Sequence, residues 1–157
     1  MMGKSKIWLC GLLLFVVSAC AEAPLYDQSV SFDGSKWSQE VKPQYEVDIP
    51  TIDKEYDFTL SLRTTTDYKY NNLWVFMKTV TPEGIVSRVP YQFRITNEDG
   101  SWIGNKTGTI VETSMSFPRR KMPQKGKYTF IIEQGITKQE IDEVLDLTLR
   151  VEEAKED

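Results

Sequence analysis

The sequence predicts an all-β domain: an antiparallel β-sandwich, jelly-roll-like, with about eight strands and little helix. Three observations carry that expectation. Apolar and polar side chains alternate at period two in segment after segment, as a strand with one buried face requires. Turn signals built on Gly, Pro, Asn and Asp recur roughly every ten residues. Almost nothing beyond the leader reads as helix.

Residues 1–19 stand outside this pattern. Lys4 and Lys6 precede an apolar run, 7–17, of the length of an export signal and too short to span a bilayer comfortably. The run ends in Val17-Ser18-Ala19-Cys20. Such a box, aliphatic, small, small, Cys, resembles the bacterial lipoprotein signal, in which the Cys thiol takes the lipid and becomes the first mature residue. Residues 1–19 are therefore expected to be removed and Cys20 to carry the anchor. One acyl chain holds a protein only marginally, whereas two or more hold it firmly. Cys10 leaves with the leader, so the mature chain has no second thiol with which to form a disulfide.

Residues 20–28 read as a tether that Pro24 keeps extended, and 29–152 as the sandwich. Within it, 29–32 is a first edge strand before the Asp33-Gly34 turn, and 37–41 is a second extended piece. Tyr45, Val47 and Ile49 alternate with Glu46 and Asp48 until Pro50; Phe58, Leu60 and Leu62 alternate with Thr59, Ser61 and Arg63. The polar stretch 64–72 leads into the central hairpin, 73–96, which turns on Pro82-Glu83-Gly84. Trp74 and Phe76, opposite Leu73, Val75 and Met77, suggest a strand covered on both sides, with Trp74 in the core. Asp99-Gly100 tips the next turn, and 105–107 reads as a loop between two glycines. A strand or surface arm follows at 109–115, then a basic loop at 119–127. Tyr128, Phe130 and Ile132 form the next inward row. Thr137 and Glu140 fit a capping box and predict about one helical turn. Leu145, Leu147, Leu149 and Val151 complete the last strand, before an acidic tail at 153–157.

With the leader gone, 138 of the 157 residues remain, the length of one domain. Two of the 19 basic residues go with it, leaving 17 against 23 acidic ones and a net charge of about −6. That balance argues against a nucleic-acid partner and against electrostatic binding to anionic lipid. The chain contains no histidine. His-based triads, imidazole zinc sites and histidine general bases are thereby excluded, and a lipidated Cys20 removes thiolate catalysis as well. No catalytic residue, metal or cofactor is expected, and a small-molecule ligand is not favoured.

Four groups merit weighing. Asn97, Asp99 and Ser101 space oxygen donors as a calcium loop begins, but no acid closes the loop, and a hairpin turn is the plainer reading. Trp37, Trp74 and Trp102, with Tyr68, Tyr70 and Tyr91, include candidate sugar-stacking rings, of which Trp102, after a turn, is the best placed for exposure. Arg119, Arg120, Lys121, Lys125 and Lys127 cluster in a loop that suits an acidic partner, lipopolysaccharide or headgroups, or is simply solvated. Glu46, Asp48, Asp53, Glu55 and Asp57 supply carboxylates for a glycosidase pair, the weakest of the four. Trp102, Arg119, Arg120 and Lys121 are thus the candidate contact residues beside Cys20.

The order of several short motifs adds a family likeness. After the lipid box come Tyr70-Asn71-Asn72-Leu73-Trp74-Val75-Phe76, Pro82-Glu83-Gly84, Asp99-Gly100-Ser101-Trp102-Ile103-Gly104 and Gly108-Thr109-Ile110. Gly126-Lys127-Tyr128-Thr129-Phe130, Glu133-Gln134 and Leu147-Thr148-Leu149-Arg150-Val151-Glu152 close the set. Over nearly the whole mature chain this series resembles the GldH family of gliding-motility lipoproteins of Bacteroidota. The resemblance implies an envelope lipoprotein, with the outer membrane's periplasmic face as its expected place. It also implies a non-catalytic part in gliding and the associated type IX secretion machinery, acting by contact with other envelope proteins. Relatives also occur in bacteria that do not glide. Only Cys20 carries over, as the lipid site. The alternative is a glycan-binding envelope lipoprotein that uses surface aromatics.

Overall fold

A computed structural model describes residues 22–155, and Cys20 with its leader lies outside them. Twelve strands fill these residues: β1 (Tyr26–Ser31), β2 (Lys36–Ser38), β3 (Gln44–Ile49), β4 (Glu55–Thr65), β5 (Asn72–Val80), β6 (Val86–Arg94), β7 (Asn105–Thr107), β8 (Ile110–Ser116), β9 (Arg120–Lys121), β10 (Gly126–Gln134), β11 (Glu140–Asp142) and β12 (Val144–Glu153). One sheet has the order β1-β12-β4-β8-β7, with β9 on the start of β4; a second has the order β3-β10-β5-β6. All their pairings are antiparallel.

The eight longer strands pair in a nest: β5 with β6, β4 with β8, β3 with β10, and β1 with β12. Each pair encloses the one before it in sequence and lies in the opposite sheet, which is the winding of a jelly roll. The expected all-β sandwich is therefore present. The strands beyond eight are two- and three-residue additions: β2, β7, β9 and β11.

The core forms where the two inner faces meet. Phe58, Leu60 and Leu62 of β4 and Leu147, Leu149 and Val151 of β12 face Tyr45 and Val47 of β3, Val75 of β5, and Phe130 and Ile132 of β10, all buried. The Phe58 and Phe130 rings meet across the layers at 5.6 Å. Tyr45 spans the gap and donates its hydroxyl to the Leu147 carbonyl, and burial raises its pKa well above the ordinary phenol value. At one end the β2–β11 ribbon closes the core: Trp37 is fully buried, stacks on Phe32 at 4.8 Å, and donates its indole N–H to Val41.

Three local expectations are corrected. β1 begins at Tyr26, inside the stretch read as tether, because Tyr26–Ser31 finds a full antiparallel partner in β12. Residues 105–107 are a short strand on β8 rather than a loop. The helical turn at 137–140 does not form. Glu140–Asp142 pairs with Lys36–Ser38, and a single capped turn is too short to repay helix nucleation.

The strand ends define two poles. At the near pole lie Glu22 and Lys155, the loops 50–54 and 81–85, and the segment from Phe117 to Lys125. At the far pole lie Tyr70, the 97–101 turn and the β2–β11 ribbon. Both ends of the described chain thus leave the sandwich on one side.

Candidate functional site

The outer face of the four-stranded sheet carries an exposed aromatic side chain on regular, paired strands. Along β5, Leu73, Val75 and Met77 point inward and are buried, so Asn72, Trp74, Phe76 and Lys78 point outward. Their partners on β6 are Arg94, Gln92, Pro90 and Arg88. On β10, Glu133 lies opposite Phe76, and Ile131 opposite Lys78.

Trp74 corrects the expectation that it is core: it is 45% exposed. Alternation of two apolar faces suggested cover on both sides, but among the described residues no third layer lies over this sheet. Phe76 is shielded instead by a charged side chain. The Arg88 guanidinium sits 3.7 Å from its ring centroid and donates to Glu133 at 2.9 Å, while Lys42 donates to the other Glu133 oxygen at 3.1 Å. These donors, Arg88 foremost, hold the Glu133 carboxyl below the usual range. A cation lying over an aromatic face gains from the ring quadrupole and covers the ring without a further layer of protein. Among the described residues the cations that lie over rings sit on Phe76, Phe58 and Tyr70, and none on Trp74. Beside it, Asn72, Gln92, Arg94 and Thr96 line a shallow cleft of about 190 Å³. Tyr70, two residues before β5, is 41% exposed; its hydroxyl accepts from Lys138 at 2.7 Å and its ring stands edge-on to Tyr68.

This sheet has two edges, β3 and, next to the strand of Trp74, β6. Pro90 at its centre lacks an N–H, and Arg88 and Arg94 flank it. Prolines and charges on an edge discourage strand addition. The face, not the edge, is therefore the better contact surface.

The other sequence candidates are distributed differently. Trp102 is half-buried against the core, its backbone bridged to Thr96, so its ring is no open platform. Trp37 is wholly internal. The basic segment does not gather whole into one patch, although Arg119 and Lys121 share a cleft with Lys54 and Lys155. Arg119 Nε donates to Asp57 at 3.2 Å, Arg120 lies 5.0 Å over the Phe58 ring, and Lys127 pairs with Glu46 at 3.1 Å. Arg120 and Lys121 form β9 at the near pole. Asn97–Ser101 is a closed hairpin turn with Gly100 at φ 80°. There Ser101 donates both its hydroxyl and its N–H to Asp99, holding that carboxyl low. Among the described residues no three acidic or thiol groups gather as a metal site. The carboxylates weighed for a glycosidase pair are spread over β3 (Glu46, Asp48), the 50–54 loop (Asp53) and β4 (Glu55, Asp57), where Glu46 pairs with Lys127 and Asp57 with Arg119.

Sequence reasoning counted Trp74 among the candidate rings but put it in the core, and so missed it as an exposed site. One signal pointed to it: its neighbours on the outward row of β5 and β6, Asn72, Lys78, Gln92 and Arg94, are polar or charged.

Comparison with known proteins gives the family. A family model described as GldH lipoprotein matches residues 24–151. The "Gliding motility lipoprotein GldH homolog" of Christiangramia forsetii is 26% identical over 156 residues, covering 94% of each chain. The "Gliding motility lipoprotein GldH" of Flavobacterium johnsoniae is 28% identical over 130 residues, covering 82% of this chain and 77% of its own.

Proposed function

The chain belongs to the GldH lipoprotein family, and from that premise we propose that it is a non-catalytic contact protein of the gliding and type IX secretion apparatus, lipid-anchored through Cys20. The family name makes it a gliding-motility lipoprotein held at a membrane. Beyond that name, the reading places it on the periplasmic face of the outer membrane. It works there by binding other envelope proteins rather than by making or breaking bonds. The chain has no histidine, and its buried tyrosines donate to backbone carbonyls.

The observation that carries the contact role is Trp74, left uncovered on an ordered sheet beside Gln92 and Arg94. Trp and Arg are the residues most enriched where protein interfaces concentrate their binding energy. The test is a pull-down from detergent-solubilised membranes with the wild type and Trp74→Ala. The wild type is expected to bring down envelope proteins in a fixed ratio. The variant, folded as judged by circular dichroism, is expected to lose at least about tenfold of that recovery, as a hot spot of roughly 2 kcal/mol predicts. A wild type that always comes down alone contradicts the proposal.

A second reading, glycan binding, is favoured by the same ring. An exposed Trp74 paired with Gln92, which lines a cleft with Asn72 and Arg94, suits a sugar. It moves that alternative from Trp102 to Trp74. Binding to a glycan array that Trp74→Ala abolishes, with no protein recovered in the pull-down, selects it.

A further inference from the structure

The described chain begins at Glu22, which lines the near pole together with Lys54, Arg119, Lys121 and Lys155. The six residues from Cys20 to Leu25 span at most about 20 Å when fully extended. The near pole is therefore the end that a lipid on Cys20 holds toward the bilayer, and its loop tips bear aliphatic side chains. Ile52 is 49%, Ile85 61% and Val86 55% exposed, the three most exposed large hydrophobic side chains among the described residues. Ile52, Pro82 and Pro123 also line a hollow of about 380 Å³, with Lys125 at its margin.

These tips are not products of a loose loop. The 81–85 turn is closed by the Gly84 N–H on Thr81, by the Thr81 N–H on Ile85, and by the Ile85 N–H on the Thr81 hydroxyl. Gly84 takes the positive φ of 85° that the turn demands. The turn thus presents Ile85 and Val86 outward. Lys54 and Lys121 line the neighbouring cleft, where Lys54 pairs with Glu153, and Lys125 lines the hollow itself; a lysine stem can follow apolar surface and leave its ammonium in the polar layer. Asp53, Glu55, Glu83 and Glu153 share this pole, so net charge does not draw it to the membrane. The aliphatic tips do.

We propose that the near pole is a second, non-covalent membrane contact, in which Ile52, Ile85 and Val86 seat in the headgroup region of the bilayer that holds the lipid anchor. The contact orients the sandwich upright. The far pole and the Trp74 end of the outer face then project into the aqueous compartment, where a partner protein reaches them. This inference rests on the Cys20 anchor proposed above.

Its test uses the lipidated protein reconstituted in phosphatidylethanolamine–phosphatidylglycerol vesicles that carry bromine on the upper acyl chain. Because Cys20 is the mature chain's one cysteine and is acylated, Ile85→Cys, Ile52→Cys and Glu98→Cys each introduce a single labelling site for a polarity-sensitive fluorophore. Labels at 85 and 52 are expected to shift to the blue and lose about half their emission to the bromine, as for side chains at the headgroup boundary. The label at 98, on the far-pole turn, is expected to behave as in water. Protein that floats with the vesicles while positions 85 and 52 match 98 overturns the contact and leaves the anchor standing. Equal quenching at all three positions also overturns it, since the sandwich then lies flat. Failure to float at all removes the anchor, and this inference falls with it.

Discussion

At the scale of single residues, two charged groups show how differently carboxylates act in this sandwich. Asp146, buried beside the irregular register between Val144 and Asp146, accepts from Arg63 Nε at 2.9 and 3.0 Å and pairs with the same guanidinium's terminal nitrogen. Removing one partner of such a pair strands the other without compensation. Arg63 keeps access to water, which tempers the loss. Asp146→Ala is expected to cost about 2–3 kcal/mol in unfolding free energy, measured by urea titration. Glu133 is a surface counterpart, depressed by Arg88 and Lys42. A depressed carboxyl stabilises the fold above its unfolded pKa of 4.5, and that contribution disappears as pH falls through the lower folded value. Glu133→Gln is therefore expected to lose less than about 1 kcal/mol at pH 7. The gap to wild type should close in the acid limb, below pH 4.5. A gap that persists in acid would mean that the charge is not its source. Of these details the sequence announced little. Trp102 and Trp74 exchange their expected places because alternation tells which side chains share a face, and not what lies over that face.

At the scale of elements, the hairpin from β5 to β6, the inward rows of β3, β4, β10 and β12, and the Asn97–Ser101 turn all follow local patterning and are where the sequence puts them. The nest of pairs is different. It joins strands as distant as β1 and β12, and local periodicity carries no record of which strand is neighbour to which. The short additions escaped for a related reason: β7 and β9 exist because β8 and β4 offer open backbone, and the stability comes from the partner, not from the segment's own propensity. Gly104 illustrates the close approach that results. A Cβ at that position would stand 2.1 Å from the Glu112 carbonyl oxygen on β8. Since that neighbour is backbone, it cannot swing aside. Gly104→Ala is expected to destabilise by about 2–4 kcal/mol, read from the shift in denaturation midpoint. A neutral outcome would show that the 97–104 segment does not lie against β8.

At the scale of the whole molecule, the sandwich is polar along its length. Both described chain ends and the aliphatic loop tips gather at one pole, and the bare Trp74, the Tyr68–Tyr70 pair and Lys138 lie toward the other. An anchor at one end leaves the other free, which suits a protein that holds partners in place at a membrane. Cys20→Ala is expected to move the protein from the membrane to the soluble fraction on cell fractionation; retention at the full mass of the uncleaved chain would mean that the apolar leader is the anchor, and retention of a cleaved chain that the near pole holds the membrane unaided. The most direct measurement of the contact role is photo-crosslinking in living cells. A benzophenone amino acid replaces Trp74 in one strain and, as a control, Glu112 on the outward face of the six-stranded sheet in another. The account expects a discrete crosslink to an envelope protein from position 74 and none from 112. No crosslink from 74, in cells where the protein is anchored and abundant, would contradict it.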